Sequence, residues 1–254
     1  MRPVGLTSVT FRQLSVDEII ALARETGCTG IEWGSDVHIK PKQLDQVGQA
    51  AEACRLNQLA IFSYGSYYKL NQGLDPDTNF QAYLETAVKL GAPLVRIWAG
   101  RTASAQADDD FFQKAVAETQ RCCDLAAKAG IDVAFEYHRK SLTDNSASAV
   151  KLLKAVNRSN CKTYWQPNPE LAVEENSREL EEIQPWLTRV HVFSWLPDNT
   201  RLPLAAQEAA WKNWLTLIPR EIPLILEFVK EDQPEQFRQD MKTLQKWLPH
   251  STCL

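Results

Sequence analysis

A unit of helix, glycine and strand recurs along this chain and limits the folds that are open to it. The segment LSVDEIIALARETGCTGIEW starts with Ser15 and Glu18 in capping-box spacing, keeps apolar residues at helical intervals and turns at Gly27 into an apolar strand. The same order returns in FQAYLETAVKLGAPLVRIW, where Gly91 ends the helix, and in AVAETQRCCDLAAKAGIDVAFEY, where Gly130 does. Three copies of one unit indicate a repeated architecture.

Eight stretches with the length and composition of strands occur in the chain, and a helical pattern follows each of them. We predict strands at 4–9, 28–33, 59–63, 94–98, 132–137, 163–166, 189–193 and 223–228. Strands that alternate with helices require a parallel α/β sheet with right-handed crossovers, and eight units of this length match a closed (β/α)8 TIM barrel. We expect one such domain over residues 1–254. An open doubly wound sheet is the alternative, but no G-x-G-x-x-G follows the first strand.

Composition excludes several classes of partner. The hydrophobic fraction of 44% is ample for one large core, and the net charge of −4 is spread without a basic run, so we expect no nucleic-acid partner. No apolar stretch approaches the roughly 20 residues of a membrane helix, and the N-terminus MRPVGLTSVTF has no signal-peptide pattern. We therefore expect a cytoplasmic protein that does not bind membranes. Its six cysteines lack zinc or disulfide spacing and are predicted to be reduced core residues.

Inward side chains at the C-terminal ends of the strands carry the chemistry of such barrels. Alternation along the fifth strand directs Val133, Phe135 and Tyr137 toward the helices. It leaves Glu136 and His138 to face the barrel interior, with Glu136 at the top of the strand.

The next three strands offer further polar groups at the same end. Gln166, in the segment TYWQPNP, ends the sixth strand, and His191 faces inward between Val190 and Val192 on the seventh. On the eighth strand the same alternation predicts that Leu224, Leu226 and Phe228 face the helices while Glu227 faces inward.

Glu136, Gln166, His191 and Glu227 thus converge on one small volume, and all four are oxygen or imidazole donors suited to a divalent cation. Taken singly, an inward glutamate is explained by an arginine partner and an inward histidine by a structural role. Two carboxylates that face each other repel unless a cation or a proton intervenes, so the set favours a metal. For Gln166, the residues leave open a ligand or a hydrogen-bonded loop anchor.

In the order of its motifs the chain resembles the xylose-isomerase-like TIM barrel superfamily of sugar phosphate isomerase/epimerase-like proteins, over its whole length. The likeness rests on GIEWGSDVHI, SYGSYYKL, VRIWAG, FEYHRKSLTD, VHVFSW and LEFVKED. It implies one divalent ion, Mn, Mg, Co or Zn, with ligands Glu136, Gln166, His191 and Glu227. Gln166 replaces the usual aspartate, and Asn168 and Pro169 stand where a histidine often follows. With two negative charges in the ligand set rather than three, we expect weak or exchangeable metal.

The resemblance also implies a reaction. It is isomerisation or epimerisation of a small carbohydrate or hydroxy-keto compound, in which Glu136 and Glu227 act as acid and base around a metal-stabilised enediolate. The alternatives are a lyase that dehydrates a cyclic polyol or a dehydroshikimate, and a non-catalytic barrel whose metal site has degenerated at Gln166. AP endonucleases share the fold, but four histidines and a negative net charge argue against a histidine-rich zinc cluster.

Further residues are candidates for substrate contact. They are His138, Trp98, Glu32 and His38. Each has a structural alternative: a rim histidine bonded to backbone, an aromatic that fills the barrel mouth, or, for Glu32, an ion pair with Arg96.

The sequence leaves the roles of three further groups of residues open. We predict that Tyr64, Tyr67 and Tyr68 lie around the loop after the third strand, either as a lid or as core cover. Basic residues available for a substrate phosphate at the rim are Arg101, Arg139 and Lys230. Trp211 and Trp214 either pack inside the helix ring or support a homo-oligomer.

Overall fold

Eight strands close into a barrel in which each strand pairs with its neighbours in chain order and β8 returns to pair with β1. In the computed structural model, which describes residues 2–73 and 79–248, these pairings are parallel. The strands are β1 Val4–Thr7, β2 Gly30–Gly34, β3 Ala60–Lys69, β4 Leu94–Trp98, β5 Asp132–Phe135, β6 Cys161–Trp165, β7 Leu187–Val192 and β8 Leu224–Leu226. The helices are α1 Val16–Glu25, α2 Leu44–Leu56, α3 Phe80–Leu90, α4 Asp109–Ala127, α5 Ser146–Val156, α6 Val173–Ile183, α7 Glu208–Leu217 and α8 Pro234–Trp247. The predicted closed (β/α)8 barrel is confirmed.

Local sequence signals set where the helices begin and end. The Ser15 hydroxyl accepts the Glu18 N–H, and the Glu18 carboxylate accepts the Ser15 N–H at 2.7 Å, so the predicted capping box is present at α1. Gly91 ends α3 with φ +76°, a left-handed conformation that costs glycine little. Asp108 caps α4 by accepting the Phe111 N–H at 2.8 Å. These interactions make the helix boundaries readable from sequence.

Strand β3 is longer than its sequence predicts, since it runs to Lys69 rather than ending near residue 63. Its register against β4 shifts after Gly65, and pairing resumes with Lys69 opposite Trp98. Backbone hydrogen bonds carry the strand past the small and polar residues that end its apolar run. The following tyrosines therefore lie within the strand and not in a loop after it: Tyr64, Tyr67 and Tyr68.

Side chains alternate between the helix layer and the barrel interior, as predicted. Val133 and Phe135 of β5 are fully buried in the large core between sheet and helices. Leu94, Ala134 and Tyr164 form a separate cluster inside the barrel. The sheet backbone divides the two cores, so the last inward residue of each strand meets the barrel mouth.

The two tryptophans of α7 belong to the core. Trp165, on the outer face of β6, packs edge to face against Trp211 at 6.2 Å and Trp214 at 5.5 Å between ring centroids. Both α7 tryptophans are buried. Of the two roles that the sequence left open, packing inside the helix ring is the one observed.

The described cysteines are free and buried, in agreement with the prediction: Cys28, Cys54, Cys122, Cys123 and Cys161. Burial raises the pKa of the Cys28 and Cys122 thiols to about 12, so neither is a reactive thiolate at neutral pH. Cys253 lies outside the described residues. Within residues 2–73 and 79–248, no helix is both long enough and apolar enough to cross a membrane.

Candidate active site

A cavity of about 260 Å³ opens at the C-terminal ends of the strands. Glu136, Gln166 and Glu227 line it, and they stand directly after β5, β6 and β8. His191 lies in β7, fully buried next to these groups. The barrel therefore delivers all four predicted ligands to one end, where parallel strands place functional side chains.

Three of these residues form a cluster with metal-ligand spacing. Glu136, His191 and Glu227 each offer one ligand atom, and these atoms lie within 4.8 Å of one another. His191 Nδ1 is 3.2 Å from Glu227 Oε2. Carboxylate oxygens and an imidazole nitrogen suit a hard or borderline divalent cation. The chemistry of the donor set therefore fits the ion that the sequence predicts.

Gln166 faces the same histidine nitrogen. Its Oε1 lies 3.1 Å from His191 Nδ1, so its amide oxygen points into the cluster. The loop after β6 is anchored by other groups, because the Asn168 N–H donates to Asn176 Oδ1 at 2.7 Å and Asn176 Nδ2 donates to the Asn168 carbonyl at 3.0 Å. Gln166 is therefore placed to act as a fourth ligand through its amide oxygen.

Glu32 lies beneath the cavity and does not line it. It is fully buried in the middle of β2 and accepts hydrogen bonds from Ser63 at 2.8 Å and Tyr164 at 2.7 Å. Its Oε1 is also 3.1 Å from His191 Nε2. Glu32 thus contacts His191 and not the cavity, so the substrate contact expected from sequence finds no geometric support. The contact with His191 could not be predicted from the sequence, because β2 and β7 are far apart along the chain and approach each other only across the barrel.

Arg96 joins two of the carboxylates. Its guanidinium donates to Glu136 and lies 3.4 Å from Glu32 Oε1, so it forms the ion pair with Glu32 that the sequence offered as an alternative. Gly65 stands opposite Arg96 in the β3–β4 register, and a Cβ there would lie 2.7 Å from Arg96 Nη2. Burial lowers the pKa of Arg96, but Glu136 and Glu32 raise it further, so the guanidinium stays charged.

The net charge of the buried site is negative enough to balance a divalent cation. Glu32, Glu136 and Glu227 supply three negative charges and Arg96 one positive charge, which gives −2 when His191 is neutral. Burial lowers the pKa of His191, but the charges of Glu227 and Glu32 outweigh it and raise that pKa to about 10. A proton on His191 thus offsets part of the negative charge, and a divalent ion bound at Nδ1 would replace that proton and balance the rest.

Two predicted substrate-binding residues do line the cavity. The Trp98 and His138 rings are 4.4 Å apart between centroids, and both face the open volume. One ring nitrogen of His138, Nδ1, is hydrogen-bonded to the Arg139 carbonyl oxygen. The structure therefore gives both residues access to a bound molecule while tying the His138 ring to the backbone.

His38 is placed elsewhere. Its Nε2 is 3.0 Å from the Leu14 carbonyl oxygen, and its ring packs near Trp33 at 6.0 Å between centroids. It does not line the cavity, so the expectation that it contacts substrate finds no geometric support. Of the three β3 tyrosines, Tyr64 and Tyr68 are buried in the core, and Tyr67 reaches the cavity.

Phe228 corrects one prediction from strand alternation. β8 ends at Leu226, and Phe228 turns with φ +43°, which is rare for a bulky residue. Its N–H donates to Thr10 Oγ1 at 2.9 Å, and its ring lines the cavity rather than facing the helices. Alternation predicts sidedness only while the chain remains extended. With Phe193 and Trp195 it forms an aromatic wall that strand alternation does not predict, although the segment FSW directly after β7 signals it.

The closed (β/α)8 fold, with glutamate and histidine side chains clustered at its mouth, makes this protein a TIM barrel with a candidate metal site. The family model described as the xylose isomerase-like TIM barrel matches residues 20–247, and the chain belongs to this family. No curated protein sequence matches it significantly.

Solved structures show the same fold. One neighbour is the probable 3-DHS dehydratase AsbF, involved in petrobactin synthesis in Bacillus anthracis, with a TM-score of 0.81, 19% identity and coverage of 96% of this chain and 99% of that chain. Another is a D-allulose 3-epimerase from Methylomonas sp., with a TM-score of 0.74, 18% identity and coverage of 97% and 98%. A third is the IolI protein with a bound zinc atom, with a TM-score of 0.73, 17% identity and coverage of 97% and 98%. At such identities the likeness establishes the fold alone.

Proposed function

We propose that this protein is a divalent-metal-dependent isomerase or epimerase of a small carbohydrate or hydroxy-keto compound. The observation that carries the proposal is the cluster of Glu136, His191 and Glu227, with ligand atoms within 4.8 Å of one another at the base of the cavity. Gln166 would complete the ligand set. The structural neighbours of this chain include epimerases, which agrees with this chemistry.

The surroundings of His191 prepare it as a ligand. Glu32 accepts a hydrogen bond from Nε2–H, and this leaves Nδ1, which faces Glu227 and Gln166, as the nitrogen that would give up its proton to a divalent ion. Ser63 and Tyr164 hold the Glu32 carboxylate in turn. The histidine is thus oriented before any ion binds.

Glu136 and Glu227 have the placement needed for proton transfer. They follow β5 and β8, on different sides of the cavity, so each carboxylate approaches a bound substrate from its own side. One removes a proton from a carbon next to a carbonyl group, and the other returns a proton to the opposite face. A divalent ion bound among these residues would stabilise the negative charge that develops on the substrate oxygens.

The remaining walls suit a small polar molecule with an apolar face. Trp98 offers a flat ring to the apolar face of a sugar, and His138 lies beside it as a hydrogen-bonding group. The aromatic wall of Phe193, Trp195 and Phe228 limits access of water from the other side.

The test combines metal binding with hydrogen exchange. Metal content is measured by elemental analysis after manganese loading and desalting, and a manganese titration follows if the ion is lost. Incorporation of solvent deuterium into a panel of ketoses is then followed by NMR. We expect one metal per chain and exchange in the wild type, and loss of exchange in Glu136→Gln and Glu227→Gln. Glu181→Gln, on the exposed face of α6, is the matched control and should behave as wild type.

Different results would refute different parts of the proposal. Exchange that survives in either active-site variant would remove that carboxylate as an acid or base. No saturable manganese binding would favour the non-catalytic barrel with a degenerate metal site. Two or more metals per chain would reopen nuclease chemistry.

Dehydration is the second candidate, because elimination begins with the same proton removal and the dehydratase AsbF is a structural neighbour with a TM-score of 0.81. Product mass separates the two reactions. A lyase releases water from the substrate, whereas an isomerase or epimerase leaves its mass unchanged.

A further inference from the structure

Two basic residues near the Trp98 side of the cavity lack acidic partners in the part of the chain that the structure describes. Lys69 Nζ lies over the Trp98 ring at 4.7 Å and near the Tyr67 ring at 5.8 Å, and both rings line the cavity. Arg101 follows three residues after Trp98. Across residues 2–73 and 79–248, no carboxylate is within ion-pair distance of either Lys69 or Arg101.

Two basic residues elsewhere around the mouth have acidic partners. Arg139 bonds to Glu170 at 2.7 Å, and Arg201, whose guanidinium lies over the Phe228 ring, bonds to Asp232 at 2.5 Å. Lys69 and Arg101, on the side formed by β3 and β4, differ from these two arginines because neither has an acidic partner among the described residues.

Strand pairing and a glycine turn set where the two residues stand in the fold. Lys69 and Trp98 are direct partners in the β3–β4 register, so they project from the same face of the sheet. Gly100, with φ +82°, brings the following loop against α4, and a Cβ there would lie 2.8 Å from Phe111 Cζ. Strand pairing thus places Lys69 beside Trp98, and a tight glycine turn precedes the backbone of Arg101.

Their electrostatics favour an anion. Burial and the charge of Arg101 lower the pKa of Lys69, while the charge of Glu136 raises it. Lys69 therefore lies within electrostatic reach of both the proposed catalytic carboxylate and a second cation. An anion placed beside Lys69 and Arg101 would relieve their repulsion and gain charge-assisted hydrogen bonds.

We propose that Lys69 and Arg101 form an anion subsite that holds the carboxylate or phosphate group of the substrate. The inference rests on the proposed function, because it places the anionic end at the β3–β4 side while the reacting carbons lie between Glu136 and Glu227. Trp98 lies between these regions and packs along the substrate. The substrate is accordingly an acidic hydroxy-keto compound or a phosphorylated one, and a neutral sugar binds less tightly.

The subsite is tested with anions alone, on protein freed of metal with a chelator and then desalted. Inorganic phosphate and acetate are titrated at low ionic strength by calorimetry into three proteins: wild type, the Lys69→Met/Arg101→Gln double variant, and Lys151→Met. Lys151 is the control, because its Nζ makes a similar contact over the Phe112 ring at 4.5 Å outside the cavity. Unchanged thermal unfolding checks that each variant is folded.

We expect the wild type and Lys151→Met to bind at least one of the anions with a dissociation constant on the order of 1 mM, and the double variant to bind it about tenfold more weakly. Tighter binding of phosphate would indicate a phosphorylated substrate, and tighter binding of acetate a carboxylic acid. Lack of saturable binding of both anions by the wild type, or equal affinity in the double variant, would overturn the proposal.

A separate manganese titration of the same proteins distinguishes this inference from the proposed function. Anion binding that depends on Lys69 and Arg101 without any manganese binding would support the subsite and refute the metal-dependent reaction. Manganese binding without anion binding would refute the subsite alone.

Discussion

Gly65 is the point where the Arg96 guanidinium lies against the neighbouring strand. A Cβ at this position would lie 2.7 Å from Arg96 Nη2, about 0.7 Å inside the 3.4 Å at which ordinary contact begins. A flexible side chain could move away at little cost, but this guanidinium is bonded to Glu136 and lies 3.4 Å from Glu32 Oε1. We therefore predict that Gly65→Ala displaces Arg96 from at least one of its two carboxylates.

The expected magnitude follows from this crowding. Adding a methyl group to a well-packed interior costs about 1–3 kcal/mol, which for a chain of this size lowers Tm by about 2–12 °C. Displacement of Arg96 also releases Glu136, so we expect weaker manganese binding together with the loss of stability. A purely steric fault elsewhere in the core would lower Tm without changing metal affinity.

Thermal unfolding and manganese titration test the prediction, with Gly48→Ala as the matched control. Gly48 is in α2, and a Cβ there meets only the Lys89 side chain, at 3.0 Å, which is exposed and free to move. The control should be stabilised by up to about 1 kcal/mol, because alanine favours the helix. A Gly65→Ala protein with wild-type Tm and wild-type manganese affinity would refute the view that Gly65 makes room for Arg96.

Two further predictions concern single charges. Gln166→Glu keeps the side-chain shape and adds a carboxylate whose oxygen would face His191 Nδ1, so we expect manganese affinity to rise at least tenfold (about 1.4 kcal/mol) by titration calorimetry; unchanged affinity would place Gln166 outside the ion's ligand set. Asp240 is buried, and burial raises its pKa despite hydrogen bonds from Leu204 N–H and Gln236, so its ionised form costs stability above that pKa and the cost is relieved as pH falls through it. Asp240→Asn should therefore raise Tm at pH 7 by about 2–4 °C and have a smaller effect near pH 4, and a Tm gain that does not shrink with falling pH would contradict this assignment.

The repeated pattern of helix, glycine and strand was sufficient to predict the barrel. Ser15 and Glu18 cap α1 by hydrogen bonds to nearby backbone, and Gly91 ends α3 by its own conformation, so both signals depend on neighbouring residues alone. The end of β3 could not be predicted in the same way, because pairing of Lys69 with Trp98 depends on a register shift between two strands.

The residues of the candidate site also differ in whether neighbouring residues in the sequence are enough to place them. Glu136, His191 and Glu227 were located by alternation along extended strands, a local property of the backbone. Phe228 was assigned to the wrong face, since the strand had already ended and its backbone turns into the left-handed region. Glu32 was named from the sequence as a candidate for substrate contact or for an ion pair with Arg96, but its contact with His191 crosses the barrel from a distant part of the chain.

The sequence by itself therefore determined the number and order of the strands, the helix caps and the positions of Glu136, His191 and Glu227, because each of these follows from hydrogen bonding and side-chain periodicity over a few residues. Only the tertiary structure decided which groups meet: Glu32 and His191, Arg96 and Glu136, and Lys69 over the Trp98 ring. Barrel closure and strand register set those distances. The electrostatics of a buried site depend on distance and burial, and no short stretch of sequence specifies either.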